Sequence, residues 1–189
     1  MKKAVSLFLA LFLLLSPGSV AFALVEQSES FYAADYADVL SDSTEETIVN
    51  YNGALEYQCQ GAQLVVVTVD YLDGMSSDAY AYRLFNDWGV GSAEQNNGML
   101  LLLAVKENKA WLAYGLGLTS QLSESKVNSL LEKNFWPDFD KGDYDAAVNK
   151  LFFALSNGMT ASTAAASPQP GRASLTAAGQ SPCRNTASA

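Results

Sequence analysis

The side chains that could do chemistry in this chain are few in kind. Its 189 residues include 20 acids, 11 bases, two cysteines and no histidine. Without histidine there is no Ser-His-Asp or Cys-His nucleophile system and no His-ligated zinc. Cys59 and Cys183 are too few for a structural zinc site or an iron–sulfur cluster. Carboxylate and carboxamide oxygens remain. Asn86, Asp87, Asn96 and Asn97 bracket a loop containing Gly89, Gly91 and Gly98. Oxygen donors on flexible loops suit a hard cation such as calcium. No EF-hand loop is present, because the acids lack its spacing. Arg83 stands four residues before Asp87. That spacing suits either an ion pair across a helix or a cation that offsets phosphoryl charge. There is no P-loop and no phosphatase loop built around a cysteine. A phosphatase here therefore needs a carboxylate-bound metal.

Elements must hold these residues in place, and the two ends of the chain are not among them. Lys2 and Lys3 precede an apolar run from Ala4 to Leu15, and Ala21-Phe22-Ala23 follows. This is the pattern of a secretory signal peptide over residues 1–23, and the run is shorter than the roughly 20 residues of a membrane span. The expectation is an exported protein, extracellular or in the cell envelope, with no membrane span in the mature chain. Residues 159–189 are mostly Ala, Ser, Thr, Pro, Gly and Gln and read as a low-complexity, disordered tail. The folded unit is then residues 24–158. It holds all 20 acids and seven bases, so the overall formal charge of −9 hides a core at −13. Such a surface argues against nucleic acid. Cys59 reads as a buried small residue, although export also permits a bridge to Cys183.

Within the core, apolar spacing at Ile48, Tyr51, Leu55 and Cys59 predicts a helix from Asp42 to Gln60, capped by Ser41, Asp42 or Ser43. Gln63–Val69 and Met99–Val105 are continuous apolar runs, the pattern of strands covered on both faces. A helix over Asp78–Trp88, stopped by Gly89, joins them into a βαβ unit whose crossover should be right-handed. Ala110–Tyr114 returns as an antiparallel strand. Helices follow from Ser123 to Phe135 and from Tyr144 to Ser156. The fold class is α/β, with helices on both faces of a small mixed sheet. In this topology the loop before Met99 lies at the amino ends of the strands. The Asp70–Asp73 loop and the turn after Val105 lie at the carboxyl ends. Phe31, Tyr32, Tyr36, Tyr71 and Trp111 are either core or a surface patch.

Several runs, in order, resemble the TPM domain family across Tyr32 to Leu155. They are Asp35-Tyr36-Ala37-Asp38-Val39-Leu40-Ser41, Gly61 to Val69, Arg83-Leu84-Phe85-Asn86-Asp87-Trp88-Gly89-Val90-Gly91, Asn97 to Leu102, Tyr114-Gly115-Leu116 and Gly142-Asp143-Tyr144. The resemblance implies a three-layer αβα sandwich. It also implies export or membrane association, and roles that range over acid phosphatase activity, divalent-cation binding and assembly or repair of membrane complexes. Asp35, Asp38 and Asp87 match recurrent family positions. With Asn86 and Asn97 they make the candidate metal set, and Asp87 and Arg83 are the catalytic candidates. The competing reading has Asp35 and Asp38 forming turns or caps while Asp87 and Asn97 hydrogen-bond the glycine loop. The family's usual glycine-tyrosine-glycine-leucine-glutamate run departs here to Ala113-Tyr114-Gly115-Leu116-Gly117. Gly117 stands where an acid is usual. The expectation is a non-catalytic envelope module that binds a divalent cation such as calcium and assists a membrane-associated complex of envelope proteins. The alternative is a metal-dependent acid phosphatase.

Overall fold

A computed structural model describes residues 24–164. The export pattern at residues 1–23, and the tail from residue 165 onward, lie outside them. Two strands organise the rest. Strand β2 (Gln63–Val69) pairs in parallel with β3 (Gly98–Ala104) over its whole length, Gln63 opposite Gly98 and Val69 opposite Ala104. Every residue of β3 is buried. Both faces are apolar, so both must be covered. On one face Leu64, Val66, Met99, Leu101 and Leu103 meet helix α1 (Asp42–Gln58) and the C-terminal helices. On the other, Val65, Val67, Leu100 and Leu102 meet helix α2 (Ser77–Trp88). Gly89 ends α2 in the left-handed conformation, φ 64°, as a glycine stop should.

Two strands flank this pair. β1 (Ala33–Asp35) adds in parallel to β2, and β4 (Lys109–Tyr114) in antiparallel to β3, giving the order β1-β2-β3-β4. The result is a three-layer αβα sandwich around a mixed sheet. β1 carries no extended apolar run, and its three residues escape sequence pattern. The order advances in one direction while α1 and α2 lie on opposite faces. The two crossovers therefore have opposite hands, and the right-handed preference is met by one of them.

The C-terminal layer consists of α3 (Glu124–Asn134), α4 (Trp136–Phe139) and α5 (Tyr144–Ala164). Ser123 caps α3 by accepting the Lys126 N–H. Pro137 sits inside the first turn of α4, where its missing N–H costs nothing. Phe135, Trp136, Phe139 and Tyr144 stack through this corner, and Lys150 Nζ reaches Asp138 at 2.6 Å. Helix α5 runs past Ser156 and Gly158, the expected stop. One glycine costs a helix only about 1 kcal/mol, and no proline follows before Pro168. Cys59 is buried, as its spacing predicts, and it is disulfide-bonded. The chain's other cysteine, Cys183, lies outside the described residues.

β1 is shorter than β2, so Leu64 has no strand partner on that side. Asn52 of α1 takes the place of one. Its Oδ1 accepts the Leu64 N–H at 2.7 Å and its Nδ2 donates to Leu64 O at 2.8 Å, fully buried. The same nitrogen donates to Ile48 O one turn back. An isosteric Asn52→Leu change leaves a buried N–H and a buried C=O unpaired, which costs on the order of 2–4 kcal/mol. Urea unfolding should show that loss, and a drop below about 1 kcal/mol would contradict this role.

Candidate functional site: a carboxylate-rich corner

The site is built where β1 ends. Asp35 is the last residue of β1, opposite Thr68. The Thr68 hydroxyl donates to Asp35 Oδ1, and Val39 N and Leu40 N donate to Asp35 Oδ2 at 2.8 and 2.7 Å. Ala37 N donates to Thr68 Oγ1 at 3.1 Å. One carboxylate thus folds the chain from β1 into the start of α1. Asp38 takes the tip in a left-handed conformation, φ 53°, which aspartate tolerates better than most residues. Ser41, which begins α1, donates from its N–H and its hydroxyl to Asp145 Oδ1 at 2.9 and 3.0 Å. That contact ties α1 to α5.

The turn concentrates negative charge. Asp42 and Glu45 occupy the first turn of α1, where the helix dipole favours anions. Glu45 nevertheless has its carboxyl pushed above the ordinary value, first by partial burial and then by the fields of Asp35, Asp42 and Asp38. A shallow depression lined by Ser30, Asp42, Glu45 and Glu46 opens beside it. This corner lies at the carboxyl ends of parallel strands, where open α/β sheets bind ligands. At the same end of the sheet, Glu107 accepts Leu72 N–H at 2.7 Å and pairs with Lys109, which brings together the loops after β2 and β3.

The glycine loop lies at the other end. Gly91 N donates to Gln63 Oε1 at 2.6 Å, at the amino end of β2. Gln63 Nε2 and the Tyr32 hydroxyl both donate to Glu56 Oε1, at 2.6 and 2.7 Å. Burial and this bond to Glu56 push the Tyr32 hydroxyl up to about 12. Asn97 is buried. It accepts Ser92 N–H and donates to Cys59 O and Gln60 O. Its side chain clamps the loop against the end of α1.

The five candidate metal ligands therefore do not form one set. Asp35 and Asp38 sit at the carboxyl edge. Asn86, Asp87 and Asn97 sit at the amino edge, about 16 Å away at 3.3 Å per residue along β2. The chain reverses direction between these motifs, which puts them at opposite ends of the strands. Asn97 has its oxygen committed to Ser92, and Asn86 and Asp87 are exposed on α2. Arg83 points to Met75 Sδ at 3.8 Å, and it forms no ion pair with Asp87 among the described residues. The donors at the corner are hard oxygens, the right chemistry for calcium. Among the described residues, however, no three acids converge into a ready-made metal cage. The sequence reading takes Asp42 as a cap candidate and Glu45 as a first-turn acid, and neither as a site residue. Their signal was acids in the first turn of a helix, which the dipole alone explains. Trp111 lies on β4, at the opposite sheet edge from the β1 aromatics, so the aromatic residues make no single patch.

The profile of the TPM domain matches residues 33–157, from the start of β1 into α5. The chain belongs to the TPM domain family. Solved structures agree on the fold. The N-terminal domain of a P. gingivalis protein is 24% identical with a TM-score of 0.63, over 69% of this chain and 83% of that one. The N-terminal domain of cg2496 protein from Corynebacterium glutamicum is 17% identical with a TM-score of 0.53, over 85% and 97%. BA42 protein from the psychrophilic bacterium Bizionia argentinensis is 16% identical with a TM-score of 0.50, over 65% and 86%. No curated protein matches the chain. The first TPM motif, Asp35 to Ser41, is now explained as the turn held by the Asp35 carboxylate.

The departure at Gly117 also has a physical reason. Gly117 N donates to Asn96 O at 2.9 Å, and a Cβ at Gly117 would lie 1.8 Å from Gln95 O. The loop before β3 occupies the space where a TPM glutamate's side chain would begin. Gly117→Ala should destabilise by about 1–3 kcal/mol, as forced overpacking does, and a thermal melt checks it. Glu45 gives a pH test. A carboxyl raised in the folded state carries a penalty that is full above its folded pKa and gone below the ordinary value, about 4.3. Glu45→Gln should therefore raise the melting temperature at pH 7, with the gain vanishing as pH falls towards 4. An equal gain at both pH values would refute the charge explanation.

Proposed function

We propose that this TPM domain is a non-catalytic, exported envelope module that takes up a divalent cation of the calcium type at the Asp35–Glu45 corner and assists a membrane-associated complex. The observation that supports the reading is the crowding of four carboxylates there: burial first, and then the fields of Asp35, Asp42 and Asp38, push Glu45 above its ordinary value. A bound cation relieves that repulsion. Asp38, Asp42 and Glu45 form no ready-made cage and would have to draw together around it, while Asp35 keeps its oxygens on Thr68, Val39 and Leu40. The reading as a binding module rather than an enzyme draws support from the same bonds. Asp35 and Asn97, two of the residues with chemical promise, are engaged in shaping turns. Export rests on the leader pattern at residues 1–23. No described helix is long and apolar enough to cross a membrane.

Calorimetric titration of metal-stripped protein with calcium should give saturable heat and a higher melting temperature at millimolar calcium. Asp38→Asn and Glu45→Gln should each weaken the response, and Asp87→Ala should not. Protons compete for the same oxygens, so binding should weaken as pH falls through the raised value of Glu45. No heat and no stabilisation at millimolar calcium would sink the cation reading. Phosphate release from a generic ester that survives purification and is abolished by Asp87→Ala would instead establish the metal-dependent phosphatase.

A further inference from the structure

Strand β4 is a sheet edge. Its pairing with β3 follows one register, Met99 opposite Tyr114 and Leu102 opposite Trp111. Gly115 N donates to Gly98 O at 2.9 Å, so the pair 98/115 is a hydrogen-bonded one. Such pairs alternate along an antiparallel ladder. The backbone groups of Lys109, Trp111 and Ala113 therefore face β3. Those of Ala110, Leu112 and Tyr114 face away, and none of the three bonds to another backbone group among the described residues.

Exposed edges are normally blunted by proline, by a bulge or by a lysine in mid-strand. β4 has none of these between Ala110 and Tyr114, and Lys109 stands at its first position, paired with Glu107. The edge lies instead along a groove of about 500 Å³ that runs between α2 and α3. Ala110, Leu112 and Tyr114, the three residues with unmatched backbone groups, all line it. Val127, Leu131 and Trp136 supply an apolar wall. Glu124 and Glu132 are its charged residues, with no lysine or arginine in the lining.

We propose that this groove is a docking site for an extended, cationic peptide segment of a partner protein, which adds to the sheet as a fifth strand beside β4. The main chain of the segment bonds the outward N–H and C=O groups of Ala110, Leu112 and Tyr114. Alternate side chains along a strand point to the same face. The basic set lays its aliphatic stems on Val127, Leu131 and Trp136 and its charged ends beside Glu124 and Glu132, and the apolar set takes the other face, towards Tyr82 and Trp111. The core charge of −13 attracts the same partner and repels an acidic one. The site shares no residue with the carboxylate corner, so it stands or falls without the cation.

A nine-residue peptide alternating lysine and valine is the probe, titrated into the isotope-labelled chain in the absence of calcium. Saturation should slow hydrogen exchange at the Ala110, Leu112 and Tyr114 amides by at least tenfold and change the Trp111 and Trp136 fluorescence. The same peptide N-methylated at alternate amides should lose binding by tenfold or more. A glutamate–valine peptide should not bind, and the double change Glu124→Lys, Glu132→Lys should reverse that preference. Unchanged exchange at Leu112 under saturating peptide would overturn the proposal, as would equal binding of the N-methylated peptide. Protection of these amides by raising the protein concentration alone would also overturn it, by making a second copy of the chain the occupant.

Discussion

Everything in this molecule answers to two strands that are apolar on both faces. β2 and β3 cannot tolerate water on either side, so the chain must supply a helical layer above and another below. It does so with α1 on one face and α2 on the other while the sheet grows in a single direction. The opposite hands of the two crossovers follow from that choice. The short β1 leaves Leu64 without a ladder partner. The Asn52 carboxamide, carried in on α1, closes that gap with the donor and acceptor that a missing strand would have supplied.

The polar residues that looked most chemical largely serve the same end. Asp35 gathers three donors and turns the chain from β1 into α1, and Asn97 pins the glycine loop to the end of α1. Carboxylates and carboxamides are attractive as metal ligands because they accept strongly, and that property also makes them good at ordering turns. The proposed function uses both aspects at one corner. Asp35 is satisfied by the protein itself, whereas Asp38, Asp42 and Glu45 crowd around it with little positive charge nearby. A hard cation is the natural complement of such a corner. The unmatched β4 edge, at the opposite side of the sheet, is suited to a partner's backbone. The proposed envelope module, with one ionic and one main-chain recognition face, requires no catalytic step.

Much of the fold was legible before any coordinates. The runs at Gln63–Val69 and Met99–Val105 (the second strand ends one residue earlier, at Ala104), the periodicity of α1 and α2, the Gly89 stop and the Ser123 cap all express local physics. Burial pattern, φ preference and orphan N–H groups are carried by a few consecutive residues. β1 was not legible, because three residues have no period. Nor was the extent of α5 beyond Gly158, where a small helix penalty failed to outweigh propagation. The candidate site was legible only in pieces. Asp35 and Asp38 were visible as acids in a motif, but Asp42 and Glu45 looked like ordinary first-turn residues.

Composition alone excluded histidine chemistry and clustered-thiol metal sites. Those conclusions hold because they concern which atoms exist, and no folding can add a side chain. Which oxygens stand together is a different question. The parallel order of β1, β2 and β3 sent Asp35 and Asp38 to one end of the strands and Asp87 and Asn97 to the other. The β1–α1 turn brought Glu45 to Asp35, and the sheet order left the backbone of Leu112 on an open edge. Neighbours across a sheet are distant in the chain, so their company depends on register and topology, which no local pattern encodes.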